Sequence, residues 1–240
     1  MAWNARELVA LLDRLPSPRA DVDDARKRLL QWDKRIAADS SEASLFVVWE
    51  ARLRQRLAER RLPPDVGLDY SSRAASNLRA ALVSPSRLWF DGDVVAARDG
   101  LLASTLAEAV DNVGRQSGSG TGAWGTFNVV TFQHRLAITE RARPRFNIGP
   151  FPAGGYADTL LSISGGIDRA VGPSLQMIVT LGDWDAALVS HTPGQSEWPA
   201  SPHFGDLAKL WATGAYFPLA FSDAVVGANA EATLTLVPAR

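Results

Sequence analysis

Apolar residues recur every three or four positions through the first half of the chain, and in short extended runs through the second. Leu8, Val9, Leu11, Leu12 and Leu15 set a helix over Arg6 to Leu15, ended by Pro16 and Pro18. Asp21, Asp23 and Asp24 then place negative charge at the start of a second helix, expected to run to about Ala37. Asp39, with Glu42 three residues on, is a capping-box-like start for a third helix. Its apolar line is Leu45, Trp49, Leu53 and Leu57, its outer face carries Arg52, Arg54, Arg56, Arg60 and Arg61, and Pro63-Pro64 stops it. A fourth helix spans about Ser72 to Val83. The longest runs from Val94 to Val113, with Leu101, Leu102, Leu106 and Val110 recurring, although Gly100 lowers its propensity.

Beyond the connector Gln116 to Gly122 the period changes. Thr126 to Gln133 and Leu136 to Thr139 read as strands, and Thr159 to Ser164 as another. Asn147 to Gly155 is rich in Gly and Pro and reads as irregular. Leu175 to Leu181 is a β-branched apolar run, short enough for a core strand. Gly182-Asp183-Trp184-Asp185 breaks it and Ala186 to Ser190 resumes, which makes a hairpin with an aspartate-capped turn. Four residues, Pro193, Gly194, Pro199 and Pro202, bar regular structure from the loop Thr192 to His203. Asp206 reads as the cap of a short helix carrying Leu207, Leu210 and Trp211, stopped by Gly214. A helix over Ser222 to Asn229 and a last strand over Glu231 to Val237 complete the pattern. Residues 1–115 are thus mainly helical and 123–240 mainly strands and ordered loops, an α+β class.

Composition narrows the function classes. A hydrophobic fraction of 46% with eight Trp describes a chain that buries a core. A net charge of −1 gives no reason to expect nucleic acid or an anionic membrane as partner. No Cys is present, so disulfides and thiol chemistry are excluded. No segment approaches a membrane span, and Met1-Ala2-Trp3-Asn4 does not open like an export signal, so no signal peptide is expected and the compartment stays open. The arginines of the third helix, and Arg141, Arg143 and Arg145 around Pro144, read as solvated faces. Asp91 and Asp93 beside Gly92 read as a turn; too few oxygen ligands are assembled there for a cation.

The three histidines, His134, His191 and His203, bound the catalytic options. His203 lies near Ser196, Ser201 and Asp206, so a triad can be drawn, but no G-x-S-x-G elbow presents a nucleophile. Such a cluster more often pins its own loop. A metal set of His191, His203 and Asp183 lacks ligand spacing. Asp183 and Asp185 resemble a glycosidase pair, which needs carboxyls about 5–9 Å apart across a sugar site; the turn is the simpler reading. No phosphate loop opens a helix, and no cofactor is expected in this chain.

Order and rarity of residues carry more. Leu181-Gly182-Asp183-Trp184-Asp185, Pro193-Gly194-Gln195-Ser196, Pro199 with Ser201-Pro202-His203, and Leu210-Trp211 with Gly214, Tyr216, Pro218-Leu219 and Phe221-Ser222 follow one another. Phe146-Asn147 with Gly149-Pro150-Phe151-Pro152, Gly154-Gly155 and Asp158-Thr159 precede them, as do Trp32-Asp33, Ala38-Asp39-Ser40 and Trp49. This succession resembles the C-terminal part of the large subunit of the penicillin acylase family, N-terminal-nucleophile hydrolases of linear amides such as β-lactam side chains and acyl-homoserine lactones. Glu197 stands where the family usually has Gly, Phe204 where it has Tyr, and Leu160-Leu161 where a polar pair is common. The resemblance implies part of a four-layer αββα sandwich. Because it lies on both sides of residues 116–122, these are read as a loop within one unit, 1–240.

The resemblance also implies what this stretch lacks. In that family a serine at the large subunit's N-terminus attacks the amide, its own α-amino group is the base, and an Asn and backbone donors hold the oxyanion. Those elements lie upstream of the matching part, and Met1 or Ala2 supplies no such nucleophile. No catalytic residue is expected here, His203 being the one weak candidate. The expected partner is the missing upstream half, the small subunit with the first part of the large one. A small amide substrate would bind only in the full enzyme. Two readings compete: a non-catalytic binding or structural module derived from the family, and a new enzyme site around His203.

Overall fold

A computed structural model describes residues 3–62, 75–117, 122–157, 159–163 and 172–238. Helix α1 (Trp3–Ala10) continues as a 3-10 turn (Leu11–Arg14), the tightening expected where Pro16 and Pro18 approach. Helix α2 (Ala20–Gln31) stops well short of Ala37. Lys34 takes a left-handed backbone (φ 63°) and turns its Nζ back onto the carbonyls of Leu29 and Leu30, at 3.1 and 2.9 Å, satisfying the helix end. Helix α3 (Ser41–Glu59) is capped by Ser40, whose Oγ accepts from Ala43 N–H at 3.0 Å; Asp39 stands one residue too early. Helix α4 is Ala75–Val83, and residues 72–74 of the expected helix lie outside the described residues, as do Pro63-Pro64. Helix α5 (Val94–Ser117) is capped by Asp93, whose Oδ1 accepts from Val95 and Ala96, while Asp91 accepts from Arg61. The aspartates beside Gly92 are therefore a cap and an ion pair. Of the connector, residues 118–121 lie outside the described residues.

Contacts divide the chain into two compact units, residues 1–131 with 150–172, and residues 132–149 with 173–240. In the first, Leu8, Leu12, Leu29, Phe46, Trp49, Leu53, Leu57, Leu82 and Leu102 are fully buried or nearly so. The 3.6-residue line on α3 is what places four of them. Helix α3 packs along α5, and Trp49 Nε1 donates to Thr105 Oγ1 at 3.1 Å inside that contact. Phe46 meets Trp32 (centroids 5.5 Å) and Trp49 (6.3 Å, edge-on), the offset geometries that aromatic quadrupoles favour.

The strand expected over 126–133 is split: residues Trp124–Phe127 form a helical turn, α6, and Val129–Phe132 form β1. Strand β1 pairs with β2 (Ile148–Pro152), so the Gly/Pro-rich stretch is partly regular after all. Its prolines are tolerated in a sheet of only two strands. The strand expected over Leu136 to Thr139 is instead turn, irregular chain and a bend, and Arg143–Phe146 form the short helix α7 with Pro144 in its first turn. Residues 159–163 are bends and irregular chain, not a strand, because Thr159 Oγ1 and the backbone of Tyr156 and Leu161 bond to one another. Ser164 and Asp158 lie outside the described residues.

In the second unit, β3 (Leu175–Thr180), β4 (Asp183–His191) and β5 (Phe217–Pro218) form an antiparallel sheet in that order. Leu175 faces His191 and Thr180 faces Asp183, so the turn is Leu181-Gly182 and the second strand starts at Asp183, three residues earlier than expected. Gly182 (φ 92°) supplies the positive φ this tight turn needs. Strand β3 is not a core strand here: Leu175, Met177, Ile178 and Val179 are exposed, on both faces. Helix α8 (Ala208–Thr213) ends on Gly214 (φ 70°) as expected but begins after Leu207, with Asp206 engaged elsewhere. Trp211 is buried, donates to Pro173 O at 2.7 Å and packs edge-on against Phe132. Helix α9 (Asp223–Ala228) is capped by Ser222. Residues 231–238 form no strand and are exposed; no sheet edge pairs with their alternating side chains among the described residues. No helix among the described residues is long and apolar enough to cross a membrane.

Candidate functional site

His203 is held by its own loop. Its Nδ1 lies 2.9 Å from Asp206 Oδ2 and its Nε2 3.2 Å from Glu231 Oε2. Bonds to Asp206 first, and then Glu231, raise its pKa above the ordinary histidine value, because both carboxylates favour the imidazolium. Ser201 Oγ accepts from His203 N–H, and Ser196 Oγ accepts from Trp198 N–H. Neither hydroxyl meets the imidazole, whose two nitrogens already face carboxylates. Asp206 thus partners His203 rather than capping α8.

The other polar candidates stay apart. His191 Nδ1 accepts from Thr192 N–H, and Asp183 Oδ1 accepts from Ala186 N–H at 3.2 Å. Asp185 reaches across to residues 36 and 37 positions later, its Oδ1 accepting from Phe221 and Ser222 N–H at 2.8 and 2.9 Å. Donation by Ser222, backbone first and then hydroxyl, and by Phe221 holds its carboxyl below the ordinary aspartate range. It ties the hairpin to the start of α9. Among the described residues no group of three His, Asp or Glu is placed to hold a metal ion.

Two arrangements escape sequence reading. One is a buried carboxylate. Glu50 on α3 has no exposed surface, yet accepts from Asn4 Nδ2 (2.5 Å), Arg54 (2.7 Å) and the Tyr156 hydroxyl. Arg54 also donates to Tyr156 Oη at 2.9 Å and is only 12% exposed, so it does not belong to the solvated arginine face. Arg56, by contrast, pairs with Glu59 and Glu108, and Arg60 lies over the Phe90 ring. Tyr156 is positioned by a close junction beneath it. Gly155 N–H donates to Ile36 O and Trp124 Nε1 to Gly155 O, both at 2.8 Å. Gly125 N–H donates to Ala38 O, and Asn128 Nδ2 to the carbonyls of Ala153 and Gly154. A Cβ on Gly155, at φ +83°, would stand 2.0 Å from Leu161 O, so only glycine fits. The glycine pair, the Ala38-Asp39-Ser40 run and Tyr156 are one piece of architecture.

The second is a cleft of about 320 Å³ in the second unit, lined by Phe132, His134, Phe146, Gln195, Glu197 and Phe204 among others. His134 stacks on Phe146 (centroids 5.2 Å, 28°) and tilts against Phe204 (6.1 Å). Its Nδ1 accepts from Leu136 N–H at 3.1 Å. The loop wall is held by Gln195 and Ser196 N–H, both donating to His203 O, and by Leu207 N–H on Pro193 O. Gly194 is needed there because a Cβ would lie 2.3 Å from His203 O. Glu197 and Phe204, two departures from the resembled pattern, both border this cleft.

Comparison with known proteins gives one consistent result. Residues 2–228 match the model of the penicillin amidase family. The acyl-homoserine lactone acylase QuiP of Pseudomonas aeruginosa is 29% identical over 95% of this chain, which spans 31% of that relative. The penicillin acylase 2 proenzyme of Pseudomonas sp. strain SE83 is 29% identical over 91% of the chain, spanning 29% of its length. In fold, the chain is similar to the thermostable penicillin G acylase of Alcaligenes faecalis, with TM-score 0.57 and 15% identity over 99% of this chain and 46% of that one. The α+β class agrees with the sequence pattern, and the N-terminal-nucleophile hydrolase fold with what the resemblance implies.

Proposed function

Because the chain belongs to the penicillin amidase family, we propose that it forms the C-terminal part of the large subunit of a linear-amide hydrolase, with the nucleophile supplied by residues outside this sequence. The observation that carries this reading is strand β3. Leu175 and Met177 on one face, Ile178 on the other, and Val179 at the register shift that follows are all exposed, and among the described residues only β4 pairs with the strand. A strand apolar on both faces suits a place between layers, and an open edge suits a further strand. Leu181, at the turn that follows, and the Trp184–Phe221 pair are exposed apolar groups as well. The cover is the remainder of the acylase, in keeping with a chain that spans about 30% of its relatives.

No catalytic role falls to His203, which fastens the stretch around Glu231 to the loop. In the assembled hydrolase an N-terminal serine would attack the amide carbonyl of a penicillin side chain or an acyl-homoserine lactone. This chain contributes sheet, covering helices and the rigid junction around Tyr156. Deuterium exchange of residues 175–181, with and without the upstream segment of an acylase from this family, tests the docking. Protection on mixing supports it. Unchanged exchange favours a self-standing binding module derived from the family.

A further inference from the structure

The cleft beside the Pro193–Glu197 loop has no part in that reading. We propose that it binds a small organic ammonium ion, the hydrocarbon body against the Phe146 and Phe204 walls and the charge facing Glu197. Its volume of about 320 Å³ lies within the range of small-molecule sites, roughly 300–1,000 Å³. The walls include three phenylalanines, and the stacking of His134 on Phe146 and against Phe204 fixes the rings as a platform. Aromatic faces attract cations, and since the Phe146 ring already carries the Arg145 guanidinium at 6.0 Å, the Phe204 ring and Glu197 are what remain for the ammonium group. Glu197 is the one carboxylate among the lining residues, and it forms no hydrogen bond or ion pair with another described residue. Its charge therefore remains available to a ligand and repels anions of the same shape. The loop that carries it is already fastened through Gln195, Ser196 and Pro193, so little ordering opposes binding.

The test uses the full chain and phenethylammonium as probe, with 2-phenylethanol and 3-phenylpropionate as neutral and anionic isosteres. Proton NMR follows the histidine ring signals, His134 being assigned from a His134→Gln variant. The expected result is a saturable shift of the His134 signals with those of His191 and His203 unmoved. Affinity should fall roughly tenfold for the alcohol and for Glu197→Gln, a surface change that leaves the fold intact. No saturation up to the solubility limit, equal binding of either isostere, or an unchanged affinity in Glu197→Gln would overturn the proposal.

Discussion

Replacing Glu50 by Ala removes a carboxylate that three side chains were folded around. The cost is set by what stays behind. Arg54, 12% exposed, keeps its guanidinium beside the Tyr156 hydroxyl but loses the Glu50 carboxylate, and Asn4 Nδ2 loses the same group as acceptor. Breaking a buried pair from one side typically costs about 3–5 kcal/mol, against less than about 1 kcal/mol for an exposed i,i+4 pair. In a unit of this size the larger figure lowers the midpoint of thermal unfolding by roughly 10 °C. Far-UV circular dichroism is the assay, because most helix lies in the first unit. A Glu50→Ala/Arg54→Met double variant should recover part of the loss, since no guanidinium then faces the vacated carboxylate position. A loss below about 1 kcal/mol, or no recovery in the double variant, would show that Glu50 behaves as a surface ion pair and refute the reasoning.

Three further outcomes follow from other contacts. Gly194→Ala forces a Cβ to within 2.3 Å of His203 O; it should cost about 1–3 kcal/mol and broaden the His134 NMR signals while the helical signal is kept. The raised pKa of His203 means that its bridge to Asp206 and Glu231 contributes fully below pH 6.5, the ordinary histidine value, and fades as pH rises through the elevated one. Limited proteolysis around Glu231 should therefore quicken as pH is raised through that window, and Glu231→Gln should flatten the response. Leu181→Lys, at a residue 89% exposed, should leave the chain's own stability unchanged yet weaken association with an upstream acylase segment, read by co-purification.

What was legible in the sequence was whatever depends on neighbours a turn away. The line Leu45, Trp49, Leu53 and Leu57 is buried as its period requires, and Gly214 stops its helix as its freedom allows. Glu50 and Arg54 belong to the same helix but look like a solvated pair, because Tyr156, more than a hundred residues away, decides their burial. Lys34 ended α2 through a left-handed residue that periodicity cannot register. Strand β3 shows the opposite error. Its apolar run predicts burial, yet among the described residues it stays exposed, and its cover is the docking proposed above. The alternation of residues 231–237 likewise forms no strand among the described residues. Rare residues in fixed order served better than propensity: Gly154 and Gly155 sit where backbones meet too closely for any side chain. The cleft around His134 left no local mark, since its walls come from four separate stretches.

The most direct measurement is amide hydrolysis by the purified chain, alone and after co-expression with an acylase segment that carries the N-terminal serine. The account predicts no turnover of penicillin or acyl-homoserine lactone amides by the chain alone, and turnover on co-expression that depends on β3. Hydrolysis by the 240-residue chain unaided would contradict it.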